Sequence, residues 1–145
     1  MKINIVQIII WNSKAFLPSN GIYQNGLFTN VKPVFIVKPS LDELVPIVNS
    51  ILAKEPVLLP DPSLEEVKEQ NQLLLKITGA KNWKQLCQKG INYVIELSDK
   101  GIMLTMSRLD PNGRWEYDPN KQKRYQKDTL LSVIVQDILY DLASR

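Results

Sequence analysis

The chain has 145 residues, 44% of them hydrophobic, with 18 basic and 15 acidic side chains and a formal net charge of +3. That length and apolar content suit one domain, 1–145, with a core of its own, and no run approaches the roughly 18 apolar residues of a membrane span. Histidine is absent and cysteine occurs once, as Cys87, which removes the usual base for a nucleophile, the commonest zinc ligand and any internal disulfide.

Lys2 to Trp11, rich in Ile and Val, predicts a first strand, too short and too interrupted by Asn4 and Gln7 for a signal segment. The lack of a targeting segment and the lone Cys87, placed at helical spacing from Trp83 as a core residue, lead us to expect a reducing cytoplasm. Asn20-Gly21 and Asn25-Gly26 are turn signals, the second able to close a small hairpin between Ile22-Tyr23 and Leu27-Phe28. Val34 to Val37 predicts a short strand with Pro33 and Pro39 at its ends.

Ser40-Leu-Asp-Glu43 has the form of a capping box, and Leu41, Leu44, Val45, Val48, Ile51 and Leu52 share one helical face to about Lys54. Pro46 either kinks that helix or lies near its start. Pro56, Pro60 and Pro62 suggest an extended connector, and Ser63-Leu-Glu-Glu66 opens a second helix that Gly79 ends. A short third helix covers Asn82 to Lys89, with Gly90 at the C′ position.

The period then changes from 3.6 to 2. Matching apolar faces sets Leu97 opposite Ile102, Ile95 opposite Leu104 and Tyr93 opposite Met106, with Ser98-Asp99-Lys100-Gly101 as the turn. Asp110-Pro-Asn-Gly113 turns the chain again, in one of two registers. A two-residue turn at Asn112-Gly113 puts Trp115 and Tyr117 on the Leu104/Met106 face, whereas a type I turn pairs Trp115 with Leu109 and Arg108 with Glu116. The basic stretch Lys121 to Lys127 is expected as a loop, and Thr129 as the cap of a last helix with Leu131, Ile134, Val135, Ile138 and Leu142 in one stripe. The sum is an α+β fold: an antiparallel meander joined by the N-terminal strand, with helices packed mainly on one side.

No dinucleotide or phosphate-loop motif, no nucleophile elbow and no cysteine pair occurs. The expectation is a protein that binds, with no cofactor or metal, and not an enzyme; Glu65 and Glu66 are explained by a helix N-terminus. A carboxylate-only enzyme and a subunit of a larger assembly are the duller alternatives. The string Ser107-Arg-Leu-Asp-Pro-Asn-Gly-Arg-Trp-Glu-Tyr-Asp-Pro119 combines Arg, Trp and Tyr, the types enriched at interface hot spots, on a hairpin.

That string resembles the immunity proteins of contact-dependent growth inhibition systems, the CdiI type. The resemblance continues in Lys2-Ile-Asn-Ile-Val-Gln-Ile8, Gly21-Ile-Tyr-Gln-Asn-Gly26, Asp61-Pro62 and Asn82-Trp83-Lys84, with an amphipathic helix closing the chain. It implies a cytoplasmic protein that binds the toxic domain of a delivered effector, often a nuclease, and blocks its active site. Such inhibitors commonly present acidic surface, for which Asp61, Glu65, Glu66 and Glu69 are candidates, although this chain is slightly basic. Candidate contact residues are Arg108, Asp110, Arg114, Trp115, Tyr117, Lys123 and Arg124, the hairpin tip and its flanking basic loop forming one side of the contact surface. The alternative is a nucleic-acid-binding or regulatory protein using Lys121, Lys123, Arg124 and Lys127 beside Tyr117 and Tyr125.

Overall fold

The computed structural model describes residues 3–145, so the expected strand start at Lys2 lies outside the described residues. The elements run β1 (Asn4–Trp11), β2 (Lys14–Tyr23), β3 (Phe28–Val37), α1 (Leu41–Ala53), β4 (Val57–Leu59), α2 (Leu64–Thr78), α3 (Trp83–Lys89), β5 (Ile91–Ser98), β6 (Gly101–Leu109), β7 (Trp115–Tyr125) and α4 (Leu131–Ala143). One mixed α+β sheet has the order β3-β2-β1-β5-β6-β7, antiparallel throughout, while β4 joins β2 in parallel.

Alternating apolar residues set the centre of this sheet. Val6, Ile8 and Ile10 of β1, Tyr93 and Ile95 of β5, and Ile102, Leu104 and Met106 of β6 face one way and bury the apolar stripes of α1 and α4. On the other face Ile9 and Phe16 meet Leu74 of α2 and Leu86 of α3, with Trp11 and Trp115 packed around them. The larger core lies under α1 and α4 and the smaller one under α2 and α3, so helices flank both faces of the sheet where one main side was expected.

The β5–β6 register is Tyr93↔Met106, Ile95↔Leu104 and Leu97↔Ile102, as the apolar alternation dictates. Gly101 closes that turn at φ 117, and a Cβ there would stand 2.6 Å from the Tyr125 carbonyl oxygen. The β6–β7 hairpin takes the type I arrangement, Leu109↔Trp115 and Arg108↔Glu116. Asp110 fixes it, since its Oδ1 accepts the Asn112 and Arg114 amides at 2.8 and 2.9 Å.

Several expectations are corrected. The basic stretch is not a loop through Lys121: β7 continues to Tyr125, its ladder hydrogen bonds to β6 resuming after a bulge opposite Met106. The cap of α4 is Leu130, without a side-chain bond, and not Thr129. The strand expected at Val34 to Val37 begins at Phe28, with Pro33 inside it on the sheet edge beside a register shift, where its missing N–H is tolerated. The 56–62 connector contains β4. Pro46 lies within α1, which starts at Leu41 with Ser40 as its cap. Gly90 has φ −89 and is not left-handed; it is small because a Cβ would meet the Leu86 carbonyl oxygen at 2.6 Å. The β1–β2 turn uses Asn12 and Ser13, both at positive φ, with no glycine to announce it.

β1 and β2 pair only at Ile9↔Phe16, Ile10↔Ala15 and Trp11↔Lys14, then diverge. The buried Asn20 side chain spans the opening, donating to the Ile5 carbonyl and to Asn4 Oδ1. Asn4 in turn donates to the carbonyls of Ile51, Leu52 and Lys54 at 2.8–3.2 Å, satisfying acceptors that the end of α1 leaves open. β3 occupies one edge of β2, so β4 takes the edge that β1 vacates, at Gly21↔Val57 to Tyr23↔Leu59.

Candidate functional site

The hairpin singled out in the sequence protrudes from the β6–β7 edge and leans on α3. Trp115 packs into the smaller core beside Ile9, Phe16 and Leu86. Its ring reaches to within 3.4 Å of where a Cβ on Gly90 would sit, and the turn residue Gly113 lies against Gln88. The backbone of Trp115 donates to the Cys87 thiol, whose pKa burial pushes up, with Trp115 and Arg114 opposing that shift and Asp110 adding to it. Cys87 is thus a core residue, as its spacing predicts.

The seven candidate contact residues do not form one patch. Trp115 anchors the hairpin to α3 and is half-buried, while Tyr117, aligned with the buried Ser107, remains 62% exposed. Arg108 lies on the other side of the hairpin, with Nε 2.9 Å from Glu116 and Nη1 3.9 Å from Asp118. Asp110 serves the turn, and Arg114 is exposed at its end. Lys123 is level with the core residue Leu104 and turns toward α4, whereas Arg124 is level with Met103 and turns away.

Two aspartates that sequence reasoning passed over organise the far part of β7. Asp137 accepts the Tyr125 hydroxyl at 2.5 Å and pairs with Lys123 Nζ at 3.6 Å. Asp141, one turn on, accepts the Tyr93 hydroxyl at 2.7 Å, Arg145 Nε at 2.8 Å and Lys121 Nζ at 3.2 Å. Burial works to raise the Asp141 pKa, but bonds from Tyr93, Arg145 and Lys121 outweigh it and hold the carboxyl below its ordinary value. Burial first, then bonding to Asp141, pushes Tyr93 up, and the same causes with Asp137 push up Tyr125. The signal was present in the sequence as two acids at i and i+4, set beside a basic segment.

This arrangement changes the reading of the basic segment. Lys121 and Lys123 clamp α4 to the sheet edge, leaving Arg124 and Lys127 without ion pairs among the described residues. A phosphate track would therefore compete with two built-in carboxylates. The acids Asp61, Glu65, Glu66 and Glu69 are all exposed at the start of α2, with Lys68 among them.

Among the described residues no group of three or more metal-ligating side chains comes together, and no helix is long and apolar enough to cross a membrane. The largest clefts are open. One of 420 Å³ lies between β3 and α2, lined by Val31, Leu73 and Ile77 with Glu69 and Lys76 at its margin. Another, of 480 Å³, lies between β7 and α4 and contains the two aspartates already bonded.

No family model matches the sequence, and no curated protein does either. Solved structures do match the fold. A chain of the CdiA-CT/CdiI toxin and immunity complex from Yersinia pseudotuberculosis aligns with a TM-score of 0.69 at 14% identity, over 99% of this chain and 97% of that one. A protein of unknown function from Neisseria meningitidis aligns with a TM-score of 0.67 at 12% identity, over 93% and 90%. The chain therefore has the fold of a component of a toxin and immunity complex.

Proposed function

We propose that the protein is an immunity protein: it binds the toxic domain of a contact-dependent growth inhibition effector and neutralises it by covering the toxin's working surface. The observation that carries the reading is the end-to-end likeness of its fold to a chain of a toxin and immunity complex. The order of residue fragments along the sequence, from the first strand to the Ser107–Pro119 hairpin, supports it independently. Binding needs no catalytic group, and Asp110, Asp137 and Asp141 are committed to holding the turn and α4. In this reading the protein works in the cytoplasm, where a delivered toxin arrives, and the toxin is a nuclease.

The test is co-expression with the toxic domain encoded in the reading frame immediately upstream. The expected result is restored growth and a stable complex on size exclusion, with nuclease activity of the purified toxin suppressed at equimolar immunity protein. Continued growth arrest with a folded, abundant immunity protein would overturn the proposal.

A further inference from the structure

The corner where α3 meets the β6–β7 hairpin carries positive charge that no acid among the described residues neutralises. From Gln70 to Ile95 the sequence has no acid, and Lys81, Lys84 and Lys89 flank or lie on α3, all exposed. The hairpin brings Arg114 to them, since Gly113 lies against Gln88 and Trp115 against Gly90. The nearby acids are already engaged: Glu116 and Asp118 by Arg108, Asp110 by the amides of its own turn. Lys81, Lys84, Lys89 and Arg114 have no ion-pair partner among the described residues.

At the centre of this corner is a cleft of 280 Å³ whose lining includes Lys89, Arg108, Arg145, Leu109 and Trp115, and no acidic side chain. Two of its cations already have carboxylate partners, Arg108 with Glu116 and Arg145 with Asp141. Lys89 is the one left over.

We infer that this corner is the surface through which the protein engages its partner, and that the partner's docked surface is acidic, with a carboxylate entering the cleft to meet Lys89. The inference rests on the proposed toxin-binding function and adds the chemistry of the toxin's surface: the docked part is an acidic flank of the nuclease, from which the bound protein obstructs the neighbouring groove that takes nucleic acid. A protein partner suits the corner better than nucleic acid. Leu109 and Tyr117 are exposed there, 45% and 62%, and offer contact to a folded partner, whereas Asp110, Glu116 and Asp118 interrupt any track of phosphates. The slightly basic balance of the chain then has a use: here the inhibitor is the positive member of the pair, and complementarity speeds encounter in the opposite sense to that expected from an acidic inhibitor.

The test replaces Lys84→Glu, Lys89→Glu and Arg114→Glu together, at exposed positions, with Lys38→Glu as a distant control and thermal melting to confirm folding. The probe is the toxic domain encoded upstream, titrated at low and at high salt. Wild type should bind with an association rate that falls as salt rises, the triple variant should lose about a hundredfold or more in affinity, and the control should match wild type. Equal affinity of the folded triple variant for a toxin that wild type binds overturns this inference and leaves the proposed function standing; no binding by wild type overturns both. Binding of a short DNA duplex by wild type and not by the triple variant would assign the corner to nucleic acid and also overturn it.

Discussion

The carboxylate of Asp141 gathers donors from three places in the chain: Tyr93 on β5, Lys121 on β7 and the terminal Arg145. Its pKa lies below the usual 3.8 in the folded protein, so the folded state favours the ionised form. A carboxylate lowered in this way adds stability above its unfolded pKa, and that stability disappears as pH falls through the folded value. Asp141→Asn should cost about 1–3 kcal/mol at neutral pH, as charge-assisted bonds are lost. The gap from wild type should narrow below 3.8, read by urea melts across that range. Cys87 behaves differently: buried, with its thiol pKa raised above 9.0, it should react with a thiol reagent far more slowly in the native protein than in denaturant. Fast native labelling at neutral pH would contradict the packing of α3 against Trp115. Asn4→Ala, which leaves the carbonyls at the end of α1 without their donor, should lower stability by about 2 kcal/mol, measured by thermal unfolding.

At the level of elements, legibility followed the source of each pairing. The β5–β6 register could be read because both strands carry apolar residues on alternate positions and only one register buries all of them. β7 could not be read beyond Tyr117, because its inward positions are filled by Lys121 and Lys123, whose charges are answered by Asp141 and Asp137 on a helix still to come. The β1–β2 turn was hidden because Asn12 and Ser13 adopt positive φ without a glycine. Asp110 illustrates the opposite case: both turn geometries suited the sequence, and the two amide bonds to its carboxylate select one. Gly101 is an element-level constraint of the same kind, holding positive φ and close approach to β7 together. Gly101→Ala should therefore cost about 2 kcal/mol or more and loosen both the turn and the Ile102↔Tyr125 pairing, measured by chemical denaturation and by exchange of the β7 amides.

Across the whole molecule the two cores are unequal, the one beneath α1 and α4 being much larger than the one beneath α2 and α3. Hydrogen exchange should show the α2–α3 layer opening at lower free energy than the α1–α4 layer; equal protection of the two would show that they unfold as one unit. The candidate site was legible only in part at this scale. Arg114 and Trp115 were singled out by residue type, but Lys84 and Lys89 were not, because a charged helix face becomes a site only when a hairpin from elsewhere leans against it.

The brief ladder between β1 and β2 leaves a seam within the sheet. Beyond Ile9↔Phe16 the two strands no longer share a ladder, and the gap is bridged by the Asn20 amide, by the Asn30 amide of β3 donating to Gln7, and by α1, which packs across both strands. The seam parts β2, β3 and β4 from β1 and β5 to β7, closed by a ladder at one end and by side chains over the rest. The corner at α3 and its hairpin is tied across that seam, since Trp83 of α3 donates to the Asn71 carbonyl of α2, which packs on β3, so whatever holds the seam shut also helps to hold that surface.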